Sequence, residues 1–213
     1  MRFGLRARQR DRKKDKATRI GSRLGDKSVV LIGLMGAGKT AVGRRLASQL
    51  SLPFVDADSE IERAAGMTVS EIFNGHGEAY FREGERKVIA RLLENGPQVL
   101  ATGGGAYMNE DTRRNVAARG VSVWLRADLP VLLERVARRD NRPLLKRGDP
   151  AEIMKKLMDE RYPIYEQSDI TVRSRDVPHD VIVDEIVNAL DRQLRKHAGG
   201  SGQEAAGTEG GAP

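Results

Sequence analysis

The most constraining feature of the chain is a glycine-rich segment, Gly33–Thr40 (GLMGAGKT), which matches the pattern G-x-x-x-x-G-K-[ST] at every fixed position. It follows a short apolar, β-branched run at Ser28–Gly33 and precedes a helical pattern at Lys39–Leu50. In this strand–loop–helix context, backbone N–H groups and the helix N-terminus turn toward phosphate oxygens. The segment therefore predicts a nucleoside triphosphate site in which Lys39 reaches the β- and γ-phosphates and the Thr40 hydroxyl binds Mg²⁺.

Further strand patterns alternate with helical patterns along the chain. The predicted strands are Pro53–Asp56, Gln98–Thr102, Val121–Leu125 and Ile170–Val172. Among the predicted helices, one opens at a capping box that starts at Thr68 and another runs from Gly77 to Glu94. This alternation favours an α/β fold with a parallel sheet covered on both faces. Ligands of such sheets bind outside the carboxyl ends of the strands.

Charge and composition limit the remaining function classes. Residues 1–27 carry eleven Lys and Arg and three Asp, whereas the rest of the chain carries 26 basic and 27 acidic residues. The net charge of +7 is therefore concentrated in a leader that we expect to be disordered, and we expect no nucleic-acid partner for the body. The Gly-rich residues 198–213 are predicted to form a flexible tail. The absence of cysteine excludes disulfides and thiolate chemistry, and the lack of a long apolar run favours a cytoplasmic protein without a membrane span.

Other segments of the sequence limit the class of nucleotide-binding protein to which this phosphate-binding loop can belong. No N-K-x-D segment of the kind that reads guanine is present. The third predicted strand ends in Ala101-Thr102-Gly103 and lacks the acidic residue of a Walker B motif. The second metal ligand must come from elsewhere. Asp56 and Asp58 end the second strand, and an extended backbone would place both on one face. Asp56 is the candidate for Mg²⁺ and Asp58 for the base that accepts a substrate proton, although Asp58 could instead cap the next helix.

Three arginines and a glycine run are further candidates for ligand contact. Arg82, Arg142 and Arg161 can bind carboxylate or phosphate bidentately, although nothing in the pattern separates them from the other basic residues. Gly103–Gly105 follows a predicted buried strand, where bare backbone would let a ligand approach closely.

The order of these segments resembles that of the shikimate kinase family. The matching segments are GLMGAGKTAVGRRLA (33–47), FVDADSEIE (54–62), EIFNGHGEAYFREGE (71–85), ATGGG (101–105), RPLL (142–145) and ERYPIY (160–165). The resemblance covers the predicted kinase domain, residues 28–197. It implies a three-layer P-loop fold with a five-stranded parallel sheet in the order 2-3-1-4-5 and a lid loop. It also implies ATP-dependent phosphorylation of the 3-hydroxyl of shikimate by a monomer.

The resemblance also assigns roles to individual residues. The ATP-binding set that it implies is Gly36, Ala37, Gly38, Lys39, Thr40, Ala41, Arg139 and Arg142, with Arg138 as an alternative to Arg139 beside adenine. The metal ligands that it implies are Thr40 and Asp56. The shikimate-binding set is Asp58, Arg82, Gly103, Gly104, Gly105 and Arg161, with Glu85 orienting Arg82. The catalytic set is Lys39, Asp58 and the lid residue Arg142.

Two alternatives remain open at this level. A gluconate-type kinase would keep the phosphate loop but would not need the G-G-G and F-R-x-x-E segments. A nucleic-acid-binding ATPase would use the basic leader, and its binding would depend steeply on salt.

Overall fold

A single parallel sheet organises the computed structural model, which describes residues 2–138 and 148–200 of the 213-residue chain, with side chains for residues 11–138 and 148–196. The five strands are β1 (Ser28–Ile32), β2 (Phe54–Asp56), β3 (Val99–Ala101), β4 (Gly120–Ala127) and β5 (Ile170–Ser174). They pair in the order β2-β3-β1-β4-β5, and every pair is parallel. Both the fold class and the strand order predicted from the sequence are confirmed.

Helices connect the strands and cover the sheet. They are α1 (Arg2–Leu24), α2 (Lys39–Leu50), α3 (Ala57–Ala65), α4 (Val69–Glu94), α5 (Glu110–Arg119), α6 (Leu129–Ala137), α7 (Pro150–Tyr165) and α8 (His179–Gly200). A short 3₁₀ turn lies at Ala106–Met108. All five residues of β1 are buried, as expected for a central parallel strand that reads as a continuous apolar run.

The strand register brings the candidate residues to one edge of the sheet. Leu31 of β1 pairs with Ala101 of β3, and Ile32 pairs with Trp124 of β4. Asp56 at the end of β2 also pairs with Ala101. The phosphate loop after β1, the aspartates at the end of β2 and the glycine run after β3 therefore leave the sheet side by side.

The long helix α4 contains a break that the sequence indicates. Thr68 forms a reciprocal capping box with Glu71 at the N-terminus of the helix. Gly77 then has φ 84° and ψ 171°, which is not helical. The two predicted helices, one opening at Thr68 and one starting at Gly77, are thus the two halves of α4.

The N-terminal segment differs from the predicted disordered leader at residues 1–27. It forms α1, whose residues Ala17, Ile20 and Leu24 belong to the main hydrophobic core. The Nζ atom of Lys13 lies 2.7 Å from an Asp184 carboxylate oxygen on α8, and Arg23 pairs with Asp191 of the same helix at 3.0 Å. The prediction was wrong because Ala17, Ile20 and Leu24 recur at helical spacing and pack into a core formed by distant parts of the chain, while α8 supplies ion-pair partners for nearby cations.

The predicted boundaries at the other end remain partly outside the structure. Helix α8 continues to Gly200, three residues into the predicted tail, and residues 201–213 lie outside the described part of the chain. No helix of the described residues is long and apolar enough to cross a lipid bilayer.

Candidate active site

The phosphate loop joins the end of β1 to the N-terminus of α2. Gly36 and Gly38 adopt positive φ values of 83° and 93°, which L-residues with a side chain rarely tolerate. The Lys39 ammonium donates hydrogen bonds to the carbonyl oxygens of Gly33, at 2.7 Å, and Leu34, at 3.1 Å. The loop therefore places the Lys39 ammonium next to the first backbone N–H groups of α2. Together these groups can bind the negatively charged oxygens of a triphosphate.

A cavity of about 320 Å³ opens beside this loop. The predicted ATP-binding residues that line it are Gly36, Gly38, Lys39, Thr40 and Ala41. Ala37 is buried. The other side of the cavity is formed by residues that include Arg135 and Arg138 near the end of α6 and His179 at the start of α8. Of the two arginines proposed to lie beside adenine, Arg138 lines this cavity, whereas Arg139 lies outside the described residues.

Two side chains that the sequence analysis missed hold the loop from behind. Ser174, at the end of β5, donates a hydrogen bond to the Ala37 carbonyl oxygen at 2.8 Å. Arg135 of α6 donates to the Ser174 hydroxyl at 2.8 Å and to the Gly36 carbonyl oxygen at 3.3 Å. These bonds tie down the carbonyl oxygens of the loop and so fix the orientation of its peptide groups. No local pattern marks either residue, because they come from elements that lie far from the loop in the sequence.

Helix α3 begins between Asp56 and Asp58, so the two side chains face different parts of the site. The extended backbone ends at Asp56, and α3 begins at Ala57, so the predicted period-2 geometry does not continue to Asp58. Asp56 caps α3 by accepting a hydrogen bond from the Asp58 N–H at 3.2 Å. The Thr40 hydroxyl donates to the other Asp56 carboxylate oxygen at 3.0 Å. Asp56 therefore faces the phosphate loop, whereas Asp58 lines a second cavity.

Thr40 and Asp56 have the chemistry expected of a Mg²⁺ site. Both offer oxygen atoms, which Mg²⁺ prefers, and the two oxygens are already close together. Among the described residues no group of three or more His, Cys, Asp or Glu could form an all-protein metal cage. Two oxygen ligands beside a phosphate loop fit Mg²⁺, because this ion usually keeps several waters and binds substrate phosphates.

The second cavity, of about 410 Å³, lies among α3, α4, α7 and the loop after β3. It is lined by every residue of the predicted shikimate-binding set and by Glu85. It also lies beside the phosphate loop, since a Cβ on Gly104 would be 3.5 Å from the Gly33 carbonyl oxygen and 3.7 Å from the Met35 nitrogen. A group bound in this cavity is therefore adjacent to a phosphate held by the loop.

Arg82 is held by two acidic residues of its own helix. Its Nη1 atom donates to Oε2 of Glu85 at 2.8 Å, and its Nη2 atom donates to Oε1 of Glu78 at 3.1 Å. Glu85 is only 2% exposed, and its Oε1 atom has no hydrogen-bond partner in the described structure. Burial raises the pKa of the Glu85 carboxyl above its ordinary value, and the neighbouring Arg82 guanidinium limits that rise. Glu85 thus orients Arg82, as the family resemblance implies.

Arg161 approaches the same cavity from the opposite side. It lies on α7, which begins at Pro150 with the Asp149 side chain accepting a hydrogen bond from the Ala151 N–H at 3.0 Å. Arg161 is 9% exposed. Such a buried guanidinium needs an anionic or strongly polar partner.

The glycine run leaves space for these side chains, whereas the ligand contact predicted for it stays a prediction. None of Gly103, Gly104 and Gly105 has a positive φ. A Cβ on Gly103 would lie 2.4 Å from a Glu85 carboxylate oxygen, and one on Gly105 would lie 2.5 Å from Nη1 of Arg82. A Cβ on Gly104 would lie 3.3 Å from Nη1 of Arg161. Two guanidinium groups therefore lie against consecutive residues of one loop, and only glycines leave space for both.

Comparison with known proteins agrees with this geometry. The sequence model of shikimate kinase matches residues 35–191, which contain both cavities but not α1. The chain belongs to the shikimate kinase family. It is 59% identical over 175 residues to the shikimate kinase of Rhodopseudomonas palustris, covering 82% of this chain and 86% of that protein. The corresponding enzyme of Bradyrhizobium diazoefficiens is 57% identical over 175 residues, covering 82% of this chain and 84% of that protein.

Solved structures of the same family share the fold. A shikimate kinase from Acinetobacter baumannii in complex with shikimate aligns with a TM-score of 0.75 and 35% identity, covering 79% of this chain and 95% of that chain. A gluconokinase from Sinorhizobium meliloti aligns with a TM-score of 0.54 and 20% identity, covering 83% of this chain and 98% of that chain. At that identity the likeness to gluconokinase shows a common fold alone.

The predicted lid loop lies outside the described residues. Arg142, the predicted lid residue, lies with Arg139 in the undescribed residues 139–147. Its role at the transferring phosphoryl group stays a prediction.

Proposed function

We propose that this protein phosphorylates the 3-hydroxyl of shikimate with ATP, giving shikimate 3-phosphate and ADP. One observation carries the proposal beyond family membership: two guanidinium groups and a carboxylate line a small cavity that adjoins the phosphate loop. Shikimate is a small carboxylic acid with three hydroxyl groups, so it offers an anion to Arg82 and Arg161 and a hydroxyl to Asp58.

The proposed reaction follows from the position of each group. Asp58 accepts the proton of the substrate hydroxyl as the hydroxyl oxygen forms its bond to the γ-phosphorus. The bond between that phosphorus and the bridging oxygen breaks, and ADP leaves. Lys39 and the N–H groups of the loop neutralise charge on the phosphates. When bound, Mg²⁺ supplies further neutralisation of the phosphate charge, and Thr40 and Asp56 are the residues that would hold it.

The nucleic-acid alternative receives less support from the structure. Lys13 and Arg23 of α1 form ion pairs with α8, and Lys16 donates a hydrogen bond to Asn188 at 2.7 Å. These cations stabilise the docking of α1 on the body. A monomeric state, a cytoplasmic location and the absence of a nucleic-acid partner stay predictions.

An ADP-release assay tests the proposed substrate. The purified chain is given ATP and Mg²⁺ with shikimate, gluconate or a nucleoside monophosphate as acceptor, and the rate without acceptor is subtracted. We expect turnover with shikimate and only background rates with the other two. Faster turnover with gluconate or a monophosphate would overturn the assignment.

The two arginines provide a matched test of the binding mode. Arg82→Ala and Arg161→Ala should each raise the KM for shikimate and leave the KM for ATP nearly unchanged. If each guanidinium binds a desolvated carboxylate, the loss amounts to about 2–5 kcal/mol. Arg86→Ala is the control, since Arg86 lies on the same helix as Arg82 but pairs with Glu83 outside the cavity. Equal effects on both substrates would contradict the proposed roles.

A further inference from the structure

A buried tyrosine hydroxyl connects the two sides of the substrate cavity. Tyr165 is the last residue of α7 and is fully buried. Its ring packs edge-on against Trp124, with ring centroids 5.8 Å apart, and also against Tyr107 at 6.4 Å. Its hydroxyl donates a hydrogen bond to the carbonyl oxygen of Gly104. The end of α7 is therefore joined to the glycine loop by a hydrogen bond from a buried hydroxyl.

Arg161 lies one helical turn earlier on α7, and its positive charge acts to lower the pKa of the Tyr165 hydroxyl. A Cβ on Gly104 would lie only 3.3 Å from Nη1 of Arg161, so arginine, tyrosine and glycine carbonyl form a compact group.

The hydrogen bond from Tyr165 to Gly104 requires a protonated hydroxyl. Burial raises the pKa of Tyr165 to about 12, and Arg161 opposes that rise without cancelling it. The hydroxyl therefore keeps its proton and remains a donor to the Gly104 carbonyl oxygen at neutral pH.

We propose that Tyr165 is a positioning residue for substrate binding, which holds the Arg161 guanidinium against Gly104 before the substrate carboxylate arrives. The inference rests on the proposed function, because it takes Arg161 to bind that carboxylate. A guanidinium that is already oriented loses less conformational freedom on binding and so gives higher affinity. Nothing in the sequence pattern singles out Tyr165 for this role, since a tyrosine at the end of an amphipathic helix is ordinarily a packing residue.

The chain contains a closely matched control. Tyr162 lies one turn before Tyr165 and packs against the same tryptophan, at 4.8 Å between ring centroids. Its hydroxyl also donates to a backbone carbonyl, that of Ala127 in β4, which does not line the substrate cavity. Tyr162→Phe and Tyr165→Phe thus each remove one hydroxyl from one aromatic cluster, but only the second releases the Gly104 backbone that lies beside Arg161.

The experiment measures KM for both substrates, kcat and the melting temperature of the full-length variants. Tyr165→Phe should raise the KM for shikimate by up to about tenfold, the upper range of the loss expected for one buried hydrogen bond, and leave the KM for ATP within about twofold. Tyr162→Phe should change neither KM, and the two variants should lose similar thermal stability. Equal effects of the two variants on the KM for shikimate, or an unchanged KM in Tyr165→Phe, would overturn the inference. Tyr165→Leu serves as a second hydroxyl-free variant if Tyr165→Phe does not fold.

A double-mutant cycle with Arg161→Lys separates this inference from the proposed function. If Tyr165 acts through Arg161, adding Tyr165→Phe to Arg161→Lys should raise the KM for shikimate by less than twofold more. A full tenfold further increase would show that Tyr165 acts independently of Arg161 and would overturn the inference alone. An Arg161→Lys variant with wild-type KM for shikimate would instead contradict the proposed role of Arg161.

Discussion

Gly105→Ala should impair substrate binding while leaving the fold intact. The backbone of Gly105 has φ −98° and ψ −14°, which alanine adopts without strain. The new methyl group, however, would lie 2.5, 2.6 and 2.7 Å from Nη1, Cζ and Nη2 of Arg82. Since an ordinary carbon contact needs about 3.5 Å, the guanidinium must move by about 1 Å.

The effect of Gly105→Ala on stability and on activity depends on the displacement of the Arg82 guanidinium. The displaced atoms are the free end of a flexible side chain, so the shift costs little folding free energy. A displacement of about 1 Å in a positioned group can lower activity by about a hundredfold. Complete removal by Arg82→Ala sets the upper limit of about 2–5 kcal/mol. We therefore expect Gly105→Ala to lower kcat/KM for shikimate by about ten- to a hundredfold.

The assay is ADP release with shikimate varied at saturating ATP and then with ATP varied at saturating shikimate. The melting temperature is measured in parallel. Gly84→Ala is the control, because a methyl group there would meet no atom within 4 Å although Gly84 lies on the same helix as Arg82. A wild-type KM for shikimate in Gly105→Ala, or an equal rise in both KM values, would refute the placement of Arg82 as a substrate ligand.

Four further predictions follow from other parts of the structure. Asp58→Asn should lower kcat by at least about a hundredfold with nearly unchanged ATP affinity, and wild-type turnover would remove Asp58 from the mechanism. Ser174→Ala should raise the KM for ATP severalfold and not that for shikimate, because it removes the hydrogen bond to the Ala37 carbonyl; equal changes in both would contradict this role. Deletion of residues 1–27 should lower the melting temperature by several degrees, as apolar side chains of α1 leave the core, while kcat/KM stays unchanged; lost turnover in the folded variant would argue against this. Burial raises the pKa of Glu85 in the folded state above 4.5. The contribution of Glu85 to the free energy of unfolding is therefore present below pH 4.5 and is lost as the pH rises through the pKa of the folded state. Glu85→Gln should remove this loss of stability when melting temperatures are measured across the pH range, and an unchanged pH dependence would contradict the prediction.

Local sequence patterns were sufficient for the features that depend on neighbouring residues. The phosphate loop and the Thr68 capping box were each predicted where the structure has them. The alternation of strands and helices also gave a parallel sheet, and the family resemblance gave its strand order. These features are determined within about ten residues of sequence or by a pattern that the whole family shares.

Features that depend on distant contacts could not be predicted in the same way. Residues 1–27 contain few apolar side chains, and the three that α1 buries among its described residues, Ala17, Ile20 and Leu24, pack against parts of the chain that are distant in the sequence. Asp184 and Asp191 of α8 add ion pairs with Lys13 and Arg23. Ser174 supports the phosphate loop from the opposite end of the chain. Nothing near it in the sequence indicates that contact.

The glycine run shows a feature whose surroundings the sequence did not reveal. Its residues line the second cavity, and their contact with a ligand stays a prediction. The structure adds that these glycines leave space for the side chains of Glu85, Arg82 and Arg161. The sequence alone does not show which side chains lie next to these glycines.

The most direct test of the account is a crystal structure of the chain with shikimate and a non-hydrolysable ATP analogue. It should show the shikimate carboxylate between the guanidinium groups of Arg82 and Arg161, and the 3-hydroxyl within about 3 Å of an Asp58 carboxylate oxygen. A complex in which the two arginines point into solvent with no acid group between them would contradict the account.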